Sequence, residues 1–151
     1  MLNINLDKIT DLDFKTKEAY KTLRTNVQFC GNDVKIISLT SCVPNEGKSM
    51  VSFNLAISMA ETGKKVLFID ADLRKSVLIG RYKINKAIKG LTQYLSGVEQ
   101  LDDVRYSTNV KNMDLILSGP VPPNPAELLN NEKFTELLET ARKEYDYVII
   151  D

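Results

Sequence analysis

Ser41-Cys42-Val43-Pro44-Asn45-Glu46-Gly47-Lys48-Ser49 lies between an apolar run (Val34, Ile36, Ile37, Leu39) and a helix-like stretch that begins at Lys48. A strand running into a glycine-turned loop and then a helix leaves backbone N–H groups unpaired at the helix N-terminus. Together with the helix dipole, they form a phosphate site. Lys48 would reach the outer phosphates of a nucleotide as a point charge, and the Ser49 hydroxyl would sit on Mg²⁺. The expected nucleotide-contacting set is Ser41, Pro44, Asn45, Glu46, Gly47, Lys48, Ser49 and Met50. The usual spacing asks for glycine five residues before Gly47, where this chain has Cys42; Ser41 can take over the turn if the loop is one residue longer.

Two acidic stretches downstream support the reading. Val66-Leu67-Phe68-Ile69-Asp70-Ala71-Asp72 is an apolar run ending in Asp-x-Asp, as expected of a buried parallel strand with carboxylates at its C-terminal edge. Ligands of open α/β sheets bind at that edge. On an extended chain, Asp70 and Asp72 face one side and could converge on one metal–phosphate site. Tyr147-Val148-Ile149-Ile150-Asp151 repeats the pattern.

Working outward, Phe14–Phe29 has a helical pattern, Val34–Thr40 reads as the first strand, and Lys48–Thr62 as an amphipathic helix carrying Phe53, Ala56, Ile57 and Ala60 on one face. Lys65–Asp70 is the second strand and Met113–Leu117 the third. Short helical turns fit Leu91–Leu95 and Leu101–Val104, but residues 75–112 are otherwise hard to read. Asn124-Pro125-Ala126-Glu127 has the composition of a capping box, and Phe134, Leu137, Leu138 and Ala141 mark a further helix before the fourth strand. Strands alternating with helices indicate a parallel, three-layer α/β domain. Residues 1–12 read as an extended or loosely ordered lead-in, and residues 13–151 as the domain.

Composition narrows the chemistry. Twenty basic and twenty acidic residues balance, so no nucleic-acid surface or electrostatic membrane attachment is expected. There is no histidine, which removes Ser-His-Asp triads and imidazole bases, and the two cysteines are too few for a disulfide framework. With no apolar stretch of membrane-spanning length and no secretory signal, a cytosolic location is the default expectation.

Taken together, Glu18-Ala19-Tyr20-Lys21-Thr22-Leu23-Arg24-Thr25-Asn26, the Pro-x-Glu-Gly-Lys-Ser core, Ile69-Asp70-Ala71-Asp72-Leu73-Arg74-Lys75, Gly119 to Leu129 and Tyr145–Asp151 resemble the bacterial protein-tyrosine kinase family of capsule and exopolysaccharide synthesis. The resemblance runs from about Leu12 to the last residue. It implies a three-layer P-loop NTPase with a mostly parallel sheet, using ATP and Mg²⁺ to phosphorylate tyrosine, with Lys48, Asp70 and Asp72 catalytic. It also implies that Ser49 holds the metal, with Asp72 and Asp151 nearby through water, and that Asp70 accepts the tyrosine proton. Glu18, Lys21 and Arg24 occupy the family's ring-assembly motif, and a transmembrane adaptor with an activating cytosolic tail is the implied partner, recruiting the kinase to the inner face of the membrane.

Three departures stand out. Lys21 replaces an arginine of the ring motif and loses bidentate pairing, so a weaker ring is expected. Ser76 replaces a proline that often follows Arg-Lys. The family continues past Asp151 with further strands and a tyrosine cluster, so on this reading the C-terminal strands are missing. The competing readings are a partition- or division-type P-loop ATPase switch and a non-catalytic nucleotide-binding interaction module. The switch usually has an extra lysine early in the phosphate loop, and none lies between Lys35 and Lys48.

Overall fold

The computed structural model describes residues 2–7, 9, 11–43, 47–84 and 88–151. In chain order the elements are β1 (Leu2–Ile4), α1 (Phe14–Gln28), β2 (Ile36–Ser38), α2 (Lys48–Ala60), β3 (Val66–Ile69), α3 (Leu78–Arg81), α4 (Leu91–Leu95), α5 (Leu101–Val104), β4 (Arg105–Thr108), β5 (Met113–Ile116), α6 (Pro125–Leu129), α7 (Glu132–Glu144) and β6 (Tyr147–Ile150). The strands form one sheet in the order β1-β4-β5-β3-β6-β2. Pairing is parallel except between β4 and β5. β6 is inserted between β2 and β3, with Val148 opposite both Ile36 and Leu67.

The period-2 alternation of side chains sorts the core into two halves. Val66 and Phe68 of β3, Leu115 of β5 and Ile149 of β6 pack with Phe53, Ala56 and Met59 of α2. Leu67, Ile69, Ile116 and Val148 point the other way, into Leu91 and Leu95 of α4 and Leu137 and Ala141 of α7. All four β3 residues are buried because both faces are covered, which is why the strand reads as an unbroken apolar run. The expected three-layer α/β architecture is present.

α2 is buried on more sides than its expected stripe, with Leu55 and Met59 enclosed alongside Phe53, Ala56 and Ala60. The Phe53 ring meets Phe68 edge-on at 5.3 Å and Tyr82 at 4.7 Å. α1 covers the outer side of α2 and buries none of its own residues. Val27 packs against the core, and Arg24 Nη1 donates to the Ser58 carbonyl oxygen at 2.7 Å and to Ser58 Oγ at 3.2 Å. Lys21 instead pairs with Glu18 on the exposed side at 3.2 Å.

Several expectations need revision. The lead-in segment supplies an edge strand, with Leu2–Ile4 parallel to Tyr106–Thr108 and Ile4 and Leu6 buried in the core. β4 went unread because Arg105-Tyr106-Ser107-Thr108 has one apolar residue and follows α5 with no intervening turn. Asn124 precedes Pro125 at the start of α6 but makes no side-chain cap; its Nδ2 donates to Glu127 Oε2 at 3.2 Å, so the capping box is not formed. Asn131 does cap α7, its side-chain oxygen accepting from the Lys133 N–H at 2.9 Å. Among the described residues no helix is long and apolar enough to cross a membrane.

Candidate nucleotide site

Gly47 initiates α2 with φ +82°, a conformation that costs other residues free energy, although among the described residues nothing lies within 4 Å of the position a Cβ would take. The loop thus demands glycine here for its backbone, not for room. Lys48 and Ser49 then occupy the first helical turn, and both side chains turn toward the end of β6. Lys48 Nζ donates to Asp151 Oδ1 at 2.6 Å, and Ser49 Oγ donates to Asp151 Oδ2 at 2.7 Å. Ser52 Oγ lies 2.8 Å from the Lys48 carbonyl oxygen and 3.1 Å from Asp151 Oδ1, so its single proton serves two acceptors. The Asp151 side chain is 1% exposed and that of Lys48 23%, which makes this a nearly buried, hydrogen-bonded ion pair.

Backbone bonds place Asp151 there. Its N–H donates to the Ile69 carbonyl and its own carbonyl accepts from Ala71 N–H, both at 3.0 Å, while Leu39 N–H donates to the Ile150 carbonyl at 3.0 Å. The ends of β2, β3 and β6 are stitched together at the edge where α2 begins. A cleft of about 450 Å³ opens beside them, lined by Ser38, Leu39, Thr40, Ser41, Lys48 and Val51.

Asp70 is 1% exposed. Its Oδ1 accepts from the Asp72 N–H at 3.2 Å, and its Oδ2 accepts from Ser76 Oγ at 2.5 Å. Burial pushes its carboxyl up to about 6, against the opposing pull of the Ser76 and Asp72 hydrogen bonds. β3 ends at Ile69, but the Asp70 N–H still donates to the Ile116 carbonyl at 2.8 Å and the Ala71 N–H to the Asp151 carbonyl; the chain turns at Asp72, where the Leu73 N–H reaches back to the Ala71 carbonyl at 3.0 Å. Asp72 turns back on its own loop, its Oδ1 accepting from Lys75 N–H at 3.0 Å, and is half-buried.

The structure therefore brings Lys48, Ser49 and Asp151 into hydrogen-bond contact; Asp70 stands at the neighbouring strand end, close enough to Asp151 and Asp72 to feel their charge, and Asp72 bonds within its own loop. Ser41 and Met50 flank the loop, both half-buried; Pro44, Asn45 and Glu46 lie outside the described residues. Ser52 escaped the sequence reading, though its place four residues after Lys48 puts it on the same helix face. Ser76 carried no such signal, because only the fold of the 70–76 turn brings it to Asp70.

The hydroxyl and carboxylate oxygens of Ser49 and Asp151 are hard donors that suit Mg²⁺. Among the described residues no cluster of three Asp, Glu, Cys or His side chains could hold a metal alone. A divalent ion here would lean on phosphate oxygens and water, which is the usual habit of Mg²⁺.

Phosphate-loop chemistry at the C-terminal edge of a three-layer, mostly parallel sheet puts this chain in the class of P-loop nucleotide-binding domains, and the AAA domain family matches residues 34–151. Within that class the chain belongs to the bacterial tyrosine-kinase family. It is similar to the tyrosine-protein kinase CpsD of Streptococcus agalactiae, with 47% identity over 137 residues, covering 91% of this chain and 60% of that protein. The solved kinase domain of the Escherichia coli tyrosine kinase Etk superposes with a TM-score of 0.84 at 39% identity, over 89% of this chain and 53% of that one. The septum site-determining protein MinD of Pyrococcus horikoshii, solved with Mg-ADP, gives 0.65 at 29% identity, over 78% and 48%. The chain spans about three-fifths of the length of the CpsD and YwqD relatives it matches and about a fifth of the curated Escherichia coli kinase Etk.

Proposed function

We propose that this chain is the nucleotide-binding and catalytic part of an ATP-dependent protein-tyrosine kinase that regulates capsular or exopolysaccharide synthesis. The observation that carries the reading is the convergence of Lys48 and Ser49 on Asp151, residues 103 and 102 positions apart in the chain. Lys48 supplies the charge for the outer phosphates. Ser49 and Asp151, with Asp72 through water, would hold Mg²⁺, which when bound neutralises charge on the transferring phosphoryl group. For Lys48 to engage a phosphate it must leave Asp151, so nucleotide and carboxylate compete for one ammonium group. The Asp70 carboxylate is the candidate acceptor of the tyrosine proton, and its burial makes it a better base than an exposed aspartate.

The tyrosines of this chain are mostly structural. Tyr82, Tyr94, Tyr106 and Tyr145 are buried. The Tyr145 hydroxyl donates to Asp114 Oδ2 at 2.5 Å, and burial together with that carboxylate pushes its phenol far up. Tyr20 and Tyr147 are half-buried. A ring built through Glu18, Lys21 and Arg24, activation by a transmembrane co-polymerase or adaptor tail, and recruitment from the cytoplasm to the membrane's inner face complete the proposal, by likeness to the kinase family.

The likeness to MinD favours a second reading, a dimerising ATPase switch. Transfer of labelled γ-phosphate to tyrosine, against simple phosphate release, separates the two in the full-length protein. Labelled tyrosine lost in Lys48→Met supports the kinase; phosphate release with no labelled tyrosine under any condition supports the switch.

A further inference from the structure

Asp70 is enclosed: 1% of it is exposed, and both of its oxygens already accept hydrogen bonds. An incoming phenol meets that enclosure before it meets the carboxylate. Ser76 is the donor on Oδ2, and Ser76 also lines a cleft of about 570 Å³ in which Asp70 takes no part. The walls include Leu73, Ile79, Ile88 and Val121, and Arg74 and Lys75 stand on its rim. The cleft opens between the loop after β3 and the loop after β5. These two strands are parallel neighbours, so the cleft lies at the same sheet edge as the phosphate loop.

We propose that Ser76 is the catalytic contact between an acceptor tyrosine seated in this cleft and Asp70, an inference that rests on the tyrosine-kinase reading above. Apolar walls suit a phenol ring, and a serine hydroxyl accepts one hydrogen bond while donating another. The phenol O–H donates to Ser76 Oγ, and Ser76 O–H donates to Asp70 Oδ2. As the phenol oxygen bonds to the γ-phosphorus of ATP, the bond from that phosphorus to the β,γ-bridging oxygen breaks and ADP leaves with the electron pair. The phenol proton passes to Ser76 Oγ while the proton of Ser76 passes to Asp70 Oδ2. Ser76 ends neutral as it began, and Asp70 carries the proton until solvent removes it.

The test compares parent, Ser76→Ala and Ser76→Thr in the full-length protein, with a tyrosine peptide and saturating Mg-ATP. Ser76→Ala is expected to lower kcat for peptide phosphorylation by about tenfold or more. Ser76→Thr, which keeps the hydroxyl, is expected to stay within about threefold of the parent, and KM for ATP to change little in any variant. The proton inventory in mixed H₂O and D₂O should be curved for the parent and linear for Ser76→Ala. Parent-like kcat in Ser76→Ala, or a folded Ser76→Thr as impaired as Ser76→Ala, overturns the contact and leaves the kinase reading standing. A parent that releases phosphate but labels no tyrosine overturns both.

Discussion

Lys48→Met is expected to weaken the fold as well as the phosphate site. The ion pair it removes is 2.6 Å long and leaves behind an Asp151 side chain that is 1% exposed. Deleting one partner of a buried pair costs about 3–5 kcal/mol when the other charge is stranded. Asp151 is not wholly stranded, because the Ser49 and Ser52 hydroxyls remain in reach and water can enter along the partly open path that Lys48 occupied. A loss of about 2–3 kcal/mol follows. For a domain of this size, that lowers Tm by about 4–12 °C. Thermal and urea unfolding without nucleotide, on the parent, Lys48→Met, Asp151→Asn and the double variant, measures it. The double variant removes both charges and should recover about 1–2 kcal/mol of the loss. It should still fail to bind Mg-ATP by calorimetry, since recovering stability does not replace the lysine. A Lys48→Met protein melting within about 1 °C of the parent would show that the pair contributes nothing to the fold. Parent-like Mg-ATP affinity in that variant would falsify the phosphate-loop assignment.

The remaining expectations concern the turn, two glycines and α1. Asp70 is more easily protonated folded than unfolded, so its contribution raises stability as pH falls from about 6 to about 4 and lowers it above that window. Asp70→Asn should therefore stabilise the nucleotide-free protein at neutral pH, by on the order of 3 kcal/mol at most, with the gain fading toward pH 4 in urea titrations while phosphoryl transfer is lost. Gly47→Ala should cost about 1–2 kcal/mol through its left-handed backbone alone. At Gly90, a Cβ would collide with Gly119 N and sit 2.6 Å from the Leu117 carbonyl oxygen. Gly90→Ala should cost about 3 kcal/mol or more, and equal melting temperatures for these two glycine variants would refute the distinction. Arg24→Ala should lower stability by about 1–2 kcal/mol by freeing the Ser58 carbonyl, whereas Lys21→Ala stays within about 0.5 kcal/mol. Sedimentation tests of self-association should therefore use Glu18 and Lys21 variants, because loss of Arg24 alters the monomer.

What could be read from sequence followed the strength of local patterning. β3 and β6 announced themselves because burial on both faces demands unbroken apolar runs ending at polar residues. The Lys48-Ser49-Asp151 constellation was legible for the same reason, each residue standing at the end of a clear element. β1 and β4 were not, since three or four residues with few apolar members give no period to detect. The hydrogen bonds of Asp70 and Asp72 could not be read from strand alternation, because the chain turns just beyond β3. There, backbone N–H groups capture both carboxylates, the Asp72 N–H bonding Asp70 and the Lys75 N–H bonding Asp72. Asn124 shows the same limit on a smaller scale: its composition fits a cap, but its amide turns to Glu127.

The insertion of β6 between β2 and β3 has a consequence for how the protein is made. Asp151 is translated 103 residues after Lys48. At synthesis rates of about 5–20 residues per second, the ribosome needs about 5–20 s to cover that stretch. Within that interval, once β3 has been made, β2 and β3 have no common neighbour, and the gap that β6 will fill is a pair of open strand edges. The nascent chain is then most exposed to aggregation and most in need of chaperone cover. Until β6 arrives, Lys48 and Ser49 also lack their carboxylate partner, so the bonds that hold the start of α2 to the sheet form late and with its closing.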